Sequence, residues 1–215
     1  MRVIFQINSS FEWQKPAQMK IILSSIFLFL SVIVNAQQAK SLSAYSGNKI
    51  IKEGQATIYG NFIQRLGFSS GGLVQEIMIK NVATSEYFRF VVKPMMKSAK
   101  ENTFCFTILA GDYEIIYYNY NQSTWYGANM FGEPIFKNVI SNEDLHLKLQ
   151  SGALKETDLE RFKFTIKENS LNYLGTWHFD DPMVTFSNDK EVLDQKMAKK
   201  YKKLDFNSAN TSIPN

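Results

Sequence analysis

The sequence predicts a mainly-β domain, an antiparallel β-sandwich with an amphipathic helix at its C-terminal end. Short runs rich in aromatic and β-branched residues recur along most of the chain. Gly, Asn, Asp and Ser bound them, and no helical repeat intervenes until the last thirty or so residues. Strands spaced about 8–12 residues apart between turn signals are the mark of a sandwich or barrel, not of alternating α/β units.

The first 36 residues stand apart. Met19 and Lys20 precede a fourteen-residue apolar run, Ile21–Val34, broken only by Ser24, Ser25 and Ser31 and followed by Asn35-Ala36. A positive residue, an apolar stretch of roughly 7–15 residues and a small residue at the cut describe a secretory signal peptide. The run is short of the about 20 apolar residues that a membrane-spanning helix needs. Residues 1–36 are therefore expected to be removed after Ala36, with Met19 as the expected true start and residues 1–18 upstream of it. The product is expected to be exported through the inner membrane and to be periplasmic or cell-envelope associated, with no transmembrane segment left after cleavage. Residues 37–48, polar and Ser-rich, read as a flexible lead, and 49–206 as a single domain.

Within that domain the expected strands are Ala56–Phe62, Leu73–Val82, Tyr87–Val92, Thr103–Leu109, Tyr113–Tyr120, Ile135–Ile140, Leu145–Leu149, Phe162–Ile166, Leu171–Phe179 and Met183–Phe186. The cleanest is Arg161–Lys167, where Phe162, Phe164 and Ile166 fall at every second position, so one face is buried and the other wet. Asn188 with Glu191 reads as a capping box. Leu193, Met197 and Tyr201 then recur every four residues and mark the apolar stripe of a helix over 189–203. Its other face holds Lys190, Lys196, Lys199, Lys200, Lys202 and Lys203, a solvated face. Residues 207–215 read as a frayed tail.

Charge excludes one class of partner. Without Arg2, Lys15, Lys20 and Glu12, 21 basic and 19 acidic residues remain, evenly spread, which is no footprint for nucleic acid. The single cysteine, Cys105, sits between Phe104 and Phe106 and reads as a buried, inert thiol.

No catalytic or metal signature passes a check of its context. Gly67-Phe68-Ser69-Ser70-Gly71 matches the nucleophile elbow in letters, but a strand follows it where the elbow requires a helix. His146 lies among alternating leucines in an expected strand, without metal-ligand spacing. His178 and Asp180 share a face if their strand continues, which allows a hydrogen-bonded pair and, lacking a third ligand, no more. The acidic clusters Asp180-Asp181, Glu143-Asp144 and Glu156/Asp158/Glu160 read as turn and loop acids. No cofactor is implied.

The segment Tyr117–Phe131 stands out instead, mixing aromatic rings with Asn, Gln, Ser and Thr around an expected turn. Such rings offer apolar faces while amides and hydroxyls hydrogen-bond, a combination suited to a sugar or an extended peptide. Tyr120, Trp125, Tyr126 and Asn129 are the candidate ligand-binding residues. A non-catalytic envelope protein that binds a glycan or a protein partner is the leading reading, and a small envelope hydrolase using His178 and Asp180 the alternative.

Leu109-Ala110-Gly111-Asp112-Tyr113-Glu114-Ile115 resembles the Pro-Gly-x-Tyr-x-Val turn and strand of transthyretin-like, carboxypeptidase-regulatory-type sandwiches, with Ala110 where those domains carry proline. Ala56-Thr57-Ile58-Tyr59-Gly60 resembles their opening strand. The Asn-Ala-Gln-Gln around the expected cut, and Tyr173-Leu174-Gly175-Thr176 ahead of a Lys-rich terminal helix, resemble exported proteins of Bacteroidota. The resemblance implies a domain that binds or spaces, and the acidic motif of the isopeptide-forming relatives is absent.

Overall fold

The computed structural model describes residues 38–47, 53–65, 72–97 and 99–215. The expected signal peptide 1–36 and the Gly67–Gly71 loop lie outside the described residues. Every element belongs to one compact unit, Ala39–Asn215.

Two six-stranded sheets carry the fold. The first runs β1 (Lys40–Ser41), β5 (Tyr87–Lys93), β4 (Gln75–Asn81), β7 (Gly111–Thr124), β8 (Gly127–Pro134), with β9 (Lys163–Ile166) on the opening residues of β7. The second runs β11 (Thr185–Ser187), β10 (Leu171–His178), β3 (Gln55–Ile63), β6 (Glu101–Leu109), β2 (Ser43–Ala44), with β12 (Asn210–Thr211) beside the start of β10. Both sheets are mixed, which corrects the purely antiparallel expectation: β10 runs parallel to β3, β12 to β10 and β1 to β5. Alternation in sequence reports which side of a strand is buried and is silent on its direction. No hairpin joins β3 to β10 to impose antiparallel pairing.

The facing sides of the sheets share one aromatic core. Phe90 of β5 meets Phe104 and Phe106 of β6 at ring separations of 5.5 and 5.4 Å and Trp177 of β10 at 5.9 Å. The far side of the second sheet is covered by α2 (Lys190–Lys200), whose Leu193 and Met197 pack with Tyr59, Tyr173 and Phe206. Strands β3 and β10 are thus buried on both faces, polar Thr57, Asn61, Asn172 and Thr176 included. Where they meet, β10 carries one extra residue between Tyr173 and Thr176. The bulge brings Gly175, at φ 84°, against Gly60, where an added Cβ would lie 2.8 Å from the Gly175 carbonyl oxygen and 2.4 Å from the Phe104 ring. Both positions require glycine.

Helix α2 begins one residue later than expected and without the capping box: Asp189 is its N-cap and makes no side-chain cap bond. Asn188 Oδ1 instead accepts from the Lys190 amide at 3.3 Å. The Asp189 amide donates to the Tyr173 hydroxyl at 2.8 Å, so a core tyrosine serves the helix start.

The expected strand Leu145–Leu149 is helix α1 (Asn142–Gln150). Its start is fixed by Ser141, whose hydroxyl accepts from the Asp144 amide while Asp144 accepts from the Ile140 amide, and Lys148 pairs with Asp144 one turn on. Ile135–Ile140 is not a strand either. Arg161 donates to the Ile116 and Ile135 carbonyls, its guanidinium lies 4.1 Å over the Phe136 ring, and Asn138 turns the chain at φ 60°. Short segments within the expected lead and the expected tail pair with the sheets. Lys40–Ser41 joins β5 and Ser43–Ala44 joins β6; Asn210–Thr211 joins β10, and Asn215 exchanges backbone bonds with Lys163.

Cys105 lies in the cluster under α2, 4% exposed, with burial pushing its thiol up to about 12. At pH 8 it is therefore protonated and shielded. We expect no iodoacetamide adduct on Cys105 in the native protein over an hour and complete alkylation in urea, read by mass spectrometry; prompt native labelling would contradict this burial.

Candidate functional site: an aromatic hairpin at one end of the domain

Strands β7 and β8 form a hairpin with Trp125-Tyr126 as its two-residue loop. Two-residue hairpin loops favour Asn, Asp and Gly because they demand unusual backbone angles. Here the left-handed conformation falls on Gly127, φ 142°, and the loop itself is left to two aromatics. Trp125 is 91% exposed and Tyr126 95%, and Met130, opposite Asn121 farther down β8, is 78% exposed.

The four residues singled out from sequence divide. Trp125 and Tyr126 are the tip. Asn129 is exposed on β8 opposite Gln122. Tyr120 belongs to the root of the hairpin: its ring stacks between Tyr118 and Phe131 at 5.0 and 5.3 Å, and its hydroxyl donates to Glu133 at 3.0 Å. Burial and then the Glu133 carboxylate push that hydroxyl up to about 12, as expected of a structural phenol. From Tyr120 to the tip the strand extends about 16 Å at roughly 3.3 Å per residue.

The root is held by residues that sequence reasoning did not single out. Arg65 forms an ion pair with Glu133 at 2.6 Å and donates to the Phe179 carbonyl at 3.2 Å, tying β8 to the end of β10. Tyr118 donates to Gln75, which donates to Gln64, which donates to the Ala99 carbonyl, at 2.7, 2.8 and 2.7 Å. Asn121 reaches the Val74 carbonyl at 3.0 Å. The hairpin therefore projects from a fixed base. Arg65 and Glu133 gave no signal because they are distant in sequence and neither belongs to a motif.

A second group lies where β10 ends. His178 Nε2 is 2.8 Å from the Ser187 hydroxyl, which donates to Asp189 at 2.6 Å. Bonds from Ser187 and Thr176 hold the Asp189 carboxyl below its ordinary range. Asp180 lies on the other side of the imidazole and pairs through Oδ2 with Lys100 at 2.7 Å. An open depression of about 310 Å³ runs beside His178, lined also by Glu101, Thr176, Asp189, Leu193 and Lys196. His146, expected in a strand, is exposed on α1 and far in character from any such group. Among the described residues no helix is long and apolar enough to cross a membrane.

No family model matches this sequence, and no curated protein matches it. Among solved structures the chain is similar to a leucine-rich repeat protein from Bacteroides thetaiotaomicron VPI-5482, at 10% identity and a TM-score of 0.35. The match covers 70% of this chain and 16% of that one, so this chain spans a small part of that protein's length. A likeness of that size carries no argument about fold or function.

Proposed function

We propose that the chain is an exported, non-catalytic protein of the cell envelope, a β-sandwich of two mixed sheets that binds a glycan or a partner protein through the β7–β8 hairpin. One observation carries the reading: Trp125 and Tyr126, 91% and 95% exposed, crown a hairpin whose root is tied down by Arg65, Glu133 and the Tyr118 chain of bonds. Trp and Tyr are the side chains that most often anchor interfaces, since they bury large area at little rotamer cost. A fixed root lowers the ordering cost of binding further. The tip is convex, which favours a partner that offers a groove. Export rests on the Met19–Ala36 pattern. The transthyretin-like resemblance draws support from Gly111, which turns the chain into β7, and from buried Tyr113, whose hydroxyl donates to the Leu109 carbonyl at 2.8 Å. The hydrolase alternative draws on the depression that His178 lines with Glu101 and Asp189.

The test pairs the parent chain with a Trp125→Ala/Tyr126→Ala variant. Tryptophan fluorescence is followed on titration with soluble envelope oligosaccharides, and a photoreactive residue in place of Asn129 captures protein partners in envelope fractions. A saturable signal, or a discrete adduct, is expected in the parent. The double variant should lose affinity by at least about thirty-fold, the loss of one anchor of about 2 kcal/mol, with an unchanged melting temperature. Flat titrations together with no discrete adduct would sink the reading.

A further inference from the structure

We propose that the end of β10 is a divalent-cation site whose ligands are His178 Nδ1 and the carboxylates of Asp180 and Asp181. One ligand atom from each of these residues lies within 4.8 Å of the other two. The geometry of the acceptors goes further than that proximity. Asp189, held in its anionic form, accepts from the Ser187 hydroxyl, so Ser187 in turn accepts from His178 Nε2–H. That relay fixes the tautomer and leaves the lone pair on Nδ1, which faces Asp180 Oδ1 at 3.9 Å. Asp180 Oδ1 is itself buried and has no hydrogen-bond donor. Two acceptors thus oppose each other across a gap with an exposed third, Asp181, beside them.

A proton on Nδ1 would not close a 3.9 Å gap, which exceeds hydrogen-bond reach. A metal ion bonded to both atoms at about 2.0–2.2 Å spans it. Lys100 engages Asp180 only through Oδ2, so Oδ1 remains available. One imidazole with two carboxylates suits a first-row divalent ion such as Zn²⁺ or Mn²⁺ better than an all-oxygen Ca²⁺ site. The Ser187–Asp189 pair supplies the outer support that metal-ligating histidines characteristically have. Three protein ligands leave further positions for water or for a donor from a bound partner, and the Phe179 carbonyl beside the site is the one that Arg65 ties to the hairpin root.

The experiment is isothermal titration of the untagged, EDTA-stripped full chain with ZnCl₂ and, separately, MnCl₂ near pH 7. We expect one site for at least one of the two ions. Asp181→Asn, a change at an exposed side chain, should weaken it at least about ten-fold, and Ser187→Ala should weaken it about 10–100-fold through the freed imidazole. His146→Gln should leave it unchanged, and far-UV circular dichroism verifies that each variant folds. Absence of one-site binding by either ion up to millimolar concentration would overturn the proposal, and so would binding that Asp181→Asn leaves unmoved.

Discussion

Trp177→Ala is expected to remove about 3–5 kcal/mol of stability, a large share of the roughly 5–15 kcal/mol that holds a domain folded. The indole is fully buried and lies 5.9 Å from the ring of Phe90, 5.7 Å from Phe104, 6.3 Å from Phe164 and 5.4 Å from Phe186. Those rings come from β5, β6, β9 and β11, so one side chain touches both sheets. Its Nε1 also donates to the Leu174 carbonyl at 2.8 Å within the β10 bulge, and alanine leaves that acceptor buried and unpaired. The neighbours are stiff rings fixed on separate strands, so the vacancy has little means of closing. Urea denaturation at 25 °C reads the effect as a fall in midpoint at constant slope. A loss below about 1 kcal/mol would show that the sheets close over the vacancy and that the core tolerates its largest residue being cut away. Trp125→Ala, by contrast, should stay within about 0.5 kcal/mol of the parent.

That contrast between two tryptophans marks what was legible in the sequence. Trp125, among amides and hydroxyls at an expected turn, was legible as a candidate for binding, whereas Trp177, flanked by polar Thr176 and His178, gave no sign that it sits at the centre of the core. Strands with a strict period of two were plain: in β9, Phe164 and Ile166 are buried while Lys163 and Thr165 are exposed. Other elements were hidden for physical reasons. The leucines at 145, 147 and 149 mimic a strand, yet the bonds of Ser141 and Asp144 at the helix start decide the matter locally. Strand β8 carries Gly132 and Pro134 and is largely exposed, so its extended form is imposed by pairing along β7 and leaves no pattern of its own. Tyr120 resembled Trp125 in composition, but its stacking on Tyr118 and Phe131 depends on a cross-strand register that only the fold provides. Asp181 was visible next to Asp180; its approach to His178 required the chain to leave β10 and turn.

Ending the chain after Asn207 is expected to cost about 2–4 kcal/mol, from several backbone hydrogen bonds of about 1 kcal/mol each, and to make the protein self-associate. Thr211 pairs in parallel with Tyr173, the Ser212 amide donates to the Tyr173 carbonyl at 2.8 Å, and Asn215 and Lys163 exchange bonds of 3.0 and 3.1 Å. The segment therefore crosses from β10 in one sheet to β9 in the other. Residues 40–45 do the same at the opposite side, with Lys40–Ser41 on β5, Ser43–Ala44 on β6 and the Tyr45 amide on the Cys105 carbonyl. A short polar segment thus bridges the two sheets at each side, one within the expected lead and one within the expected tail. Removing the later one uncovers backbone donors and acceptors along Leu171–Tyr173 and at Lys163, a ready template for another chain. It also strips Ile213 from beside Gly175, where its side chain fills the space over the bulge. Sedimentation should show concentration-dependent dimers or larger species for the shortened chain, with a lower urea midpoint. A shortened chain that stays monomeric and keeps its midpoint would mean that β10 is protected by β11 alone, and that the lacing at this side contributes nothing to the fold.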